Sequence, residues 1–175
     1  MKDIRNHGKS PNHNKMDYEH MAADVGRFIE DQNLKDVTLI GHSMGGKISM
    51  ALALLNPQIA FNQLLIVDMS PKIGPISRSS VRWINKMVEI EKSNLKTLEE
   101  VEDMLKKVER NTFRRGLLMD SLYINDEGYY KFRLPAQLFK DSIEDIGGFP
   151  FTLKDDKQYQ KNITFIKGGN SPLVL

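Results

Sequence analysis

The stretch that most constrains this chain is Val37-Thr38-Leu39-Ile40-Gly41-His42-Ser43-Met44-Gly45-Gly46, followed by Lys47-Ile48-Ser49-Met50-Ala51-Leu52-Ala53-Leu54-Leu55. An apolar, strand-like run enters a G-x-S-x-G turn and leaves as a helix-forming run, and that order makes the short motif a nucleophile elbow. A serine that attacks a carbonyl must stand on a tight turn with its hydroxyl exposed, which strains its backbone. Gly41 and Gly45 are expected to leave room for strand and helix to approach, with a further glycine at Gly46. A helix starting at Ser43 aims unbonded N–H groups, and the positive end of its dipole, at the place where an oxyanion would form. Met44 N–H is the natural first donor. The plainer alternative is a glycine-rich strand-to-helix turn without chemistry, because short patterns of this kind also arise by chance.

Around the elbow the chain alternates short apolar runs with helical patterns. Residues 1–15 read as a polar, turn-rich loop after a short strand ending near Ile4. Tyr18, Met21, Ala22, Val25, Phe28 and Ile29 recur at helical spacing behind Asp17, which is placed as an N-cap. The elbow helix is expected to stop before Asn56-Pro57. A second apolar run, Leu64-Leu65-Ile66-Val67, ends in Asp68-Met69-Ser70-Pro71. Such strands alternating with helices imply a parallel sheet covered on both faces.

After Pro71 the texture becomes mostly helical. Val81, Ile84, Met87 and Val88 line one face, and Leu98, Val101, Leu105 and Val108 another, opened by Thr97 and Glu100 as a capping box. Tyr123-Ile124 and Tyr129-Tyr130 flank Asn125-Asp126-Glu127-Gly128 as a short hairpin, with Gly128 at positive φ. Leu134, Leu138 and Ile143 suggest short helices before Gly147-Gly148. Ile163-Thr164-Phe165-Ile166 is a further strand, closed by Gly168-Gly169-Asn170-Ser171. The implied organisation is a core of residues 1–71 and 161–175 with a helical insertion, 72–160, lying as a lid over the carboxyl ends of the strands.

Composition removes several function classes. The 25 basic and 23 acidic residues are scattered, giving a net charge of +2 without a basic stripe, so nucleic acid is not an expected partner. Cysteine is absent, which excludes disulfides and thiolate metal sites. No apolar run is long enough to span a membrane, and the first residues resemble neither a signal nor a transit peptide.

In open parallel sheets the site lies at the carboxyl ends of the strands, where Ser43 and Asp68 both fall, on consecutive strands. A carboxylate at Asp68 could orient a protonated histidine, the third role in Ser-His-acid catalysis. Asp-x-Ser-Pro is also ordinary turn chemistry, so a helix cap or loop salt bridge is the alternative. The histidine is harder to place. A triad in Ser-acid-His order needs the base after Asp68, and all four histidines, His7, His13, His20 and His42, precede it. His42 is expected to pack behind the turn, His20 to be solvated on its helix, and His7 to shape the first loop near the site.

Asp3-Ile4-Arg5-Asn6-His7-Gly8-Lys9-Ser10-Pro11, Met16-Asp17-Tyr18-Glu19, Gly41-His42-Ser43-Met44-Gly45-Gly46-Lys47, Val67-Asp68-Met69-Ser70-Pro71 and Gly168-Gly169-Asn170-Ser171 together resemble an α/β-hydrolase branch. That branch contains the yeast ethanol acetyltransferases and related mitochondrial abhydrolases. The resemblance implies an α/β fold with a mostly parallel sheet, flanking helices and an inserted helical lid. It also implies Ser43 as nucleophile and Asp68 as triad acid. The implied partners are a small acyl ester or thioester and an alcohol or water. No resident cofactor is implied; acetyl-CoA would enter as acyl donor. A mitochondrial location is implied, although the chain shows no targeting segment of its own, which leaves the cytoplasm open. Family members carry an earlier oxyanion loop and a later catalytic histidine. With Pro172-Leu173-Val174-Leu175 closing the chain just after a strand, the sequence reads as an internal, truncated piece of such an enzyme. The competing expectation is an inactive fragment that acts at most as a binding module.

Overall fold

The computed structural model describes residues 3–171 apart from positions 60, 73 and 75. The chain divides into two compact units, Met16–Pro75 with Asp145–Leu175, and Met1–Lys15 with Ile76–Glu144.

The first unit carries the sheet. Helix α1 (Tyr18–Asp31) starts where the Asp17 carboxylate accepts from His20 N–H at 2.8 Å, the N-cap expected from the sequence. Strand β1 (Val37–His42) leads into α2 (Met44–Leu55), then β2 (Phe61–Val67). After the second unit, β5 (Ile163–Ile166) completes a sheet of order β1-β2-β5, parallel throughout. The register pairs Ile40 with Leu65 and His42 with Val67, and Val67 in turn with Ile166, so the strands end level at their carboxyl side.

Burial alternates along β1 instead of being continuous. Leu64 and Ile66 of β2 are fully buried on the face that meets α2, whereas Ile40 on the opposite face is 63% exposed. The apolar runs imply cover on both faces; among the described residues α2 covers the Leu64 and Ile66 face, and Ile40 on the other is left exposed. Helices α1 and α2 pack on each other. Gly26 of α1 faces Leu52 of α2 so closely that an added Cβ would stand 3.1 Å from Leu52 Cδ1. No strand forms at Asp3 or Ile4; residues 1–2 and the terminal 172–175 lie outside the described residues.

Lys47 is buried in this unit without a carboxylate partner among the described residues. Its Nζ donates to the carbonyls of Gly147 at 2.9 Å and Gly148 at 2.6 Å, and lies 5.5 Å from the centre of the Tyr18 ring. Tyr18 donates its hydroxyl to Ile146 O at 2.7 Å, and Gly74 N–H donates to Gly147 O at 3.1 Å. The segments through which the chain leaves and re-enters the unit are therefore tied to each other and to both helices. Burial lowers the Lys47 pKa and raises that of Tyr18, because each charged form would lose water.

The second unit is mostly helical: α3 (Arg78–Ser93), α4 (Leu98–Lys106), α5 (Thr112–Met119), a hairpin of β3 (Leu122–Ile124) and β4 (Tyr130–Phe132), and α6 (Ala136–Asp141). Helix α7 (Ile143–Gly147) spans the return to the first unit. The Thr97–Glu100 capping box is present in both directions. In the hairpin, Gly128 takes φ +82° and Asn125 Oδ1 accepts from Tyr129 N at 2.9 Å. Met87, Val88, Ile90, Val101, Leu105, Leu122, Phe132 and Ala136 form the core of this unit.

Lys47→Met removes donors from two carbonyls and is expected to cost roughly 1–3 kcal/mol in urea unfolding. Because the folded pKa of Lys47 lies below its unfolded value near 10.5, the unfolded chain holds more protons between the two, and stability there rises with pH. The stability gap between the wild type and Lys47→Met should therefore widen as pH is raised from the folded pKa toward the unfolded value of 10.5. A constant gap would show a lysine as well solvated as one on the surface.

Candidate active site

At the carboxyl end of β1 the chain must reverse into α2 within one residue, and Ser43 makes that turn with φ 52° and ψ −121°. This conformation is costly for a residue with a Cβ. It is held from both sides: Ser43 N–H donates to Val67 O at 3.0 Å, and Ser43 O accepts from Gly46 N at 2.8 Å and Lys47 N at 3.3 Å. Ser43 is partly exposed, and its side chain makes no capping bond to the helix it opens. The hydroxyl is thus not consumed as an N-cap. Met44 is the first residue of α2, so its N–H is among the donors that a helix leaves unbonded.

The glycines divide their roles differently from the motif's symmetry. A Cβ on Gly41 would stand 2.3 Å from Gly45 O and 2.6 Å from Ser49 Oγ, so only glycine allows the helix to lie this close to the strand end. Gly46 is next: its Cβ would meet Met69 Cβ at 3.1 Å and Ile66 Cγ2 at 3.2 Å, which brings α2 onto β2. A Cβ on Gly45 would meet nothing within 4 Å among the described residues, so the spacing role expected of it falls to Gly46.

Asp68 follows Val67, the register partner of His42, so it stands one strand over from Ser43. It also has a left-handed backbone, φ 53°, and its N–H donates to Ile166 O at 2.7 Å. Its Oδ1 accepts from Gly168 N at 3.0 Å. That bond, together with the Ser171 side chain and the charges of His42 and Lys167, holds the carboxyl below the usual carboxylate range. Asp68 is therefore ionised and fastened to the loop that follows β5, a partner a hundred positions away that the sequence did not reveal.

His42 corrects an expectation. It is exposed instead of packed behind the turn, and its charge acts on Asp68, because it shares the sheet face and strand end with Val67. His20 is not merely solvated: its Nδ1 lies 2.7 Å from Asp17 Oδ1 at the head of α1. His7 belongs to the other unit, where its Nδ1 lies 3.0 Å from Arg5 O within its own loop. Among the described residues, none of the hydrogen bonds recorded for histidine reaches Ser43, and no group of three His, Asp or Glu could hold a metal ion.

A parallel sheet, a strained serine between its strand and helix, and an acid ending the next strand define an α/β-hydrolase fold. The family profile described as the alpha/beta hydrolase fold matches residues 1–68. An abhydrolase domain-containing protein of Schizosaccharomyces pombe is 35% identical over 98% of this chain and 64% of its own length. The sn-1-specific diacylglycerol lipase ABHD11 of Danio rerio is 31% identical over 98% of this chain and 54% of its own. Ethanol acetyltransferase 1 of Cyberlindnera jadinii is 31% identical over 98% of this chain and 57% of its own. A marine microorganism esterase of known structure superposes with a TM-score of 0.78 at 30% identity, over 95% of this chain and 64% of that one. The chain is a relative of the α/β-hydrolase branch that these proteins represent, and it spans between half and two thirds of their length.

Gly41→Ala is expected to lose roughly 2–4 kcal/mol in urea melts, because backbone atoms of the elbow must shift. Gly45→Ala should be neutral or gain up to about 1 kcal/mol from helix propensity. Equal losses in the two would show that the elbow is not packed as described. For Asp68, a depressed carboxyl contributes stability above its unfolded pKa, 3.8, and loses it as pH falls through the lower folded value. The Gly168 amide should accordingly stay protected from hydrogen exchange at pH values below the ordinary carboxylate range, and Asp68→Ala should remove that protection at neutral pH.

Proposed function

We propose that this protein acts in serine acyl chemistry, as a hydrolase or acyltransferase working through an acyl-serine intermediate. The observation that carries the reading is Ser43 at φ 52°, strained between β1 and α2 with its hydroxyl unused by the helix. In this reading Ser43 Oγ attacks the acyl carbonyl as its proton passes to a general base, and Met44 N–H donates to the oxyanion. The carbonyl's bond to the alcohol oxygen or thiol sulfur then breaks, with that proton delivered to the leaving group, and Asp68 is the acid of the catalytic set. The acyl-serine then passes its acyl group to water or to an alcohol. Esters and thioesters are the substrate class. The lipase and acetyltransferase relatives support two forms of it, glyceride esters and acetyl-CoA with ethanol, with acetyl-CoA entering as acyl donor and not as a resident cofactor. The helical stretch 72–160 is assigned the part of a lid by its place in the chain between β2 and β5. A mitochondrial location belongs to the same proposal.

One observation favours a second reading. All four histidines precede Asp68, and none is bonded to the nucleophile among the described residues. Serine without a base is a poor nucleophile. A chain limited to these groups would bind acyl compounds without turning them over.

A fluorophosphonate probe separates the two. Under the first reading the probe labels Ser43, Ser43→Ala is unlabelled, and hydrolysis of p-nitrophenyl acetate falls by about 10³-fold or more in that variant. Asp68→Asn should lower the same rate by roughly 10²–10⁴-fold with little change in KM. A folded chain that neither labels nor hydrolyses takes the second reading. Where labelling occurs, ethyl acetate formation from acetyl-CoA and ethanol, compared with release of free acetate, decides transferase against hydrolase.

A further inference from the structure

Helix α5 is docked with its polarity reversed. Arg115, only 9% exposed, points inward, where its Nε donates to Glu102 Oε1 at 3.2 Å and its Nη1 to Glu109 O at 3.2 Å and Arg110 O at 3.3 Å. Leu118 and Met119 pack against the core of the helical unit. The outer face carries Phe113, 76% exposed, and Leu117, 57% exposed, four residues apart and therefore adjacent on the helix. Gly116 lies beside them, and a Cβ there would meet nothing within 4 Å among the described residues. Two large apolar side chains side by side in water, on a helix that buries an arginine instead, are not explained by the packing of the unit that carries them.

The charge around the pair is mainly positive. Residues 106–120 contain Lys106, Lys107, Arg110, Arg114 and Arg115 against Glu109, which is buried, and Asp120, which is exposed at the end of α5. Lys106 is committed to Asp103 at 3.0 Å, and Arg114 lies 4.0 Å from Glu109, while Lys107 and Arg110 are exposed. An apolar pair carried in a mainly cationic stretch is complementary to a surface with anionic headgroups over hydrocarbon. We propose that the outer face of α5 docks on an anionic lipid bilayer, with Phe113 and Leu117 entering the headgroup boundary and Lys107, Arg110 and Arg114 facing the lipid phosphates.

At eight residues, a length of about 12 Å, α5 lies in the interface and does not span it. A second copy of this chain fits less well, since a two-fold contact through this face would set the same cations against one another. The proposal concerns where the protein sits and does not depend on the acyl chemistry at Ser43.

The test is co-sedimentation of the full chain with vesicles of phosphatidylcholine alone and of phosphatidylcholine with about 30 mol % phosphatidylglycerol. The wild type should bind the anionic vesicles and release them as salt is raised. Phe113→Ser with Leu117→Ser should weaken that binding by about tenfold or more, with the far-UV circular dichroism unchanged because both side chains are exposed. Arg110→Gln with Arg114→Gln should erase the preference for anionic vesicles. A Phe113→Trp variant supplies an independent reading: its emission should shift to the blue on anionic vesicles. Absence of binding, binding indifferent to the Phe113/Leu117 change, or an unshifted indole overturns the proposal. So does a concentration-dependent dimer, lost in that same double variant, in a protein that ignores vesicles.

Discussion

A serine at φ 52° survives in a fold only where its neighbours leave the chain no cheaper route, and the organisation of the strand-bearing unit follows from meeting that condition. The strain, of order 1–3 kcal/mol, is offset by bonds that Ser43 makes through its backbone to β2 and to the first turn of α2. Those bonds require α2 to lie almost on the end of β1 and against β2. Gly41 and Gly46 make that approach feasible, and the fully buried Ile66 and Leu64 supply the surface against which the helix rests. The hydroxyl is left over from this arrangement, which is what makes it available.

Asp68 is positioned by a different device. Asp68 reaches its place through its own left-handed turn and is then fixed by the loop after β5, so its geometry depends on the third strand being present. Ser43 and Asp68 thus rest on adjacent strand ends but on separate restraints, one local in the chain and one spanning a hundred residues.

The sequence made some of this legible and hid the rest for physical reasons. Elements whose pattern is local could be read: the strand-to-helix order around Ser43, the Asp17 cap, the Thr97–Glu100 box and the Asn125–Gly128 turn all follow from bonds within a few residues. The one-sided cover of β1 could not, because an apolar run such as Val37–Ile40 is compatible with burial on either face or both, and only the neighbouring elements decide. Helix α5 is not legible from periodicity, which assumes that apolar residues face inward, and here Arg115 does so while Phe113 does not. The exposure of His42 and its influence on Asp68 follow from strand register, which adjacency in sequence does not convey.

The clamp of Lys47 and Tyr18 on residues 146–148 bears on the order in which the molecule assembles. Its partners lie about a hundred positions apart, as do β2 and β5, whereas the core of the helical unit is drawn from the nearly continuous run 87–136. A chain emerging from the ribosome therefore exposes β1, α2 and β2 long before the segments that complete their unit exist, while the later helical segment closes its own contacts over short loops. The pairing of β1 with β2 can thus form well before β5 is available to join it.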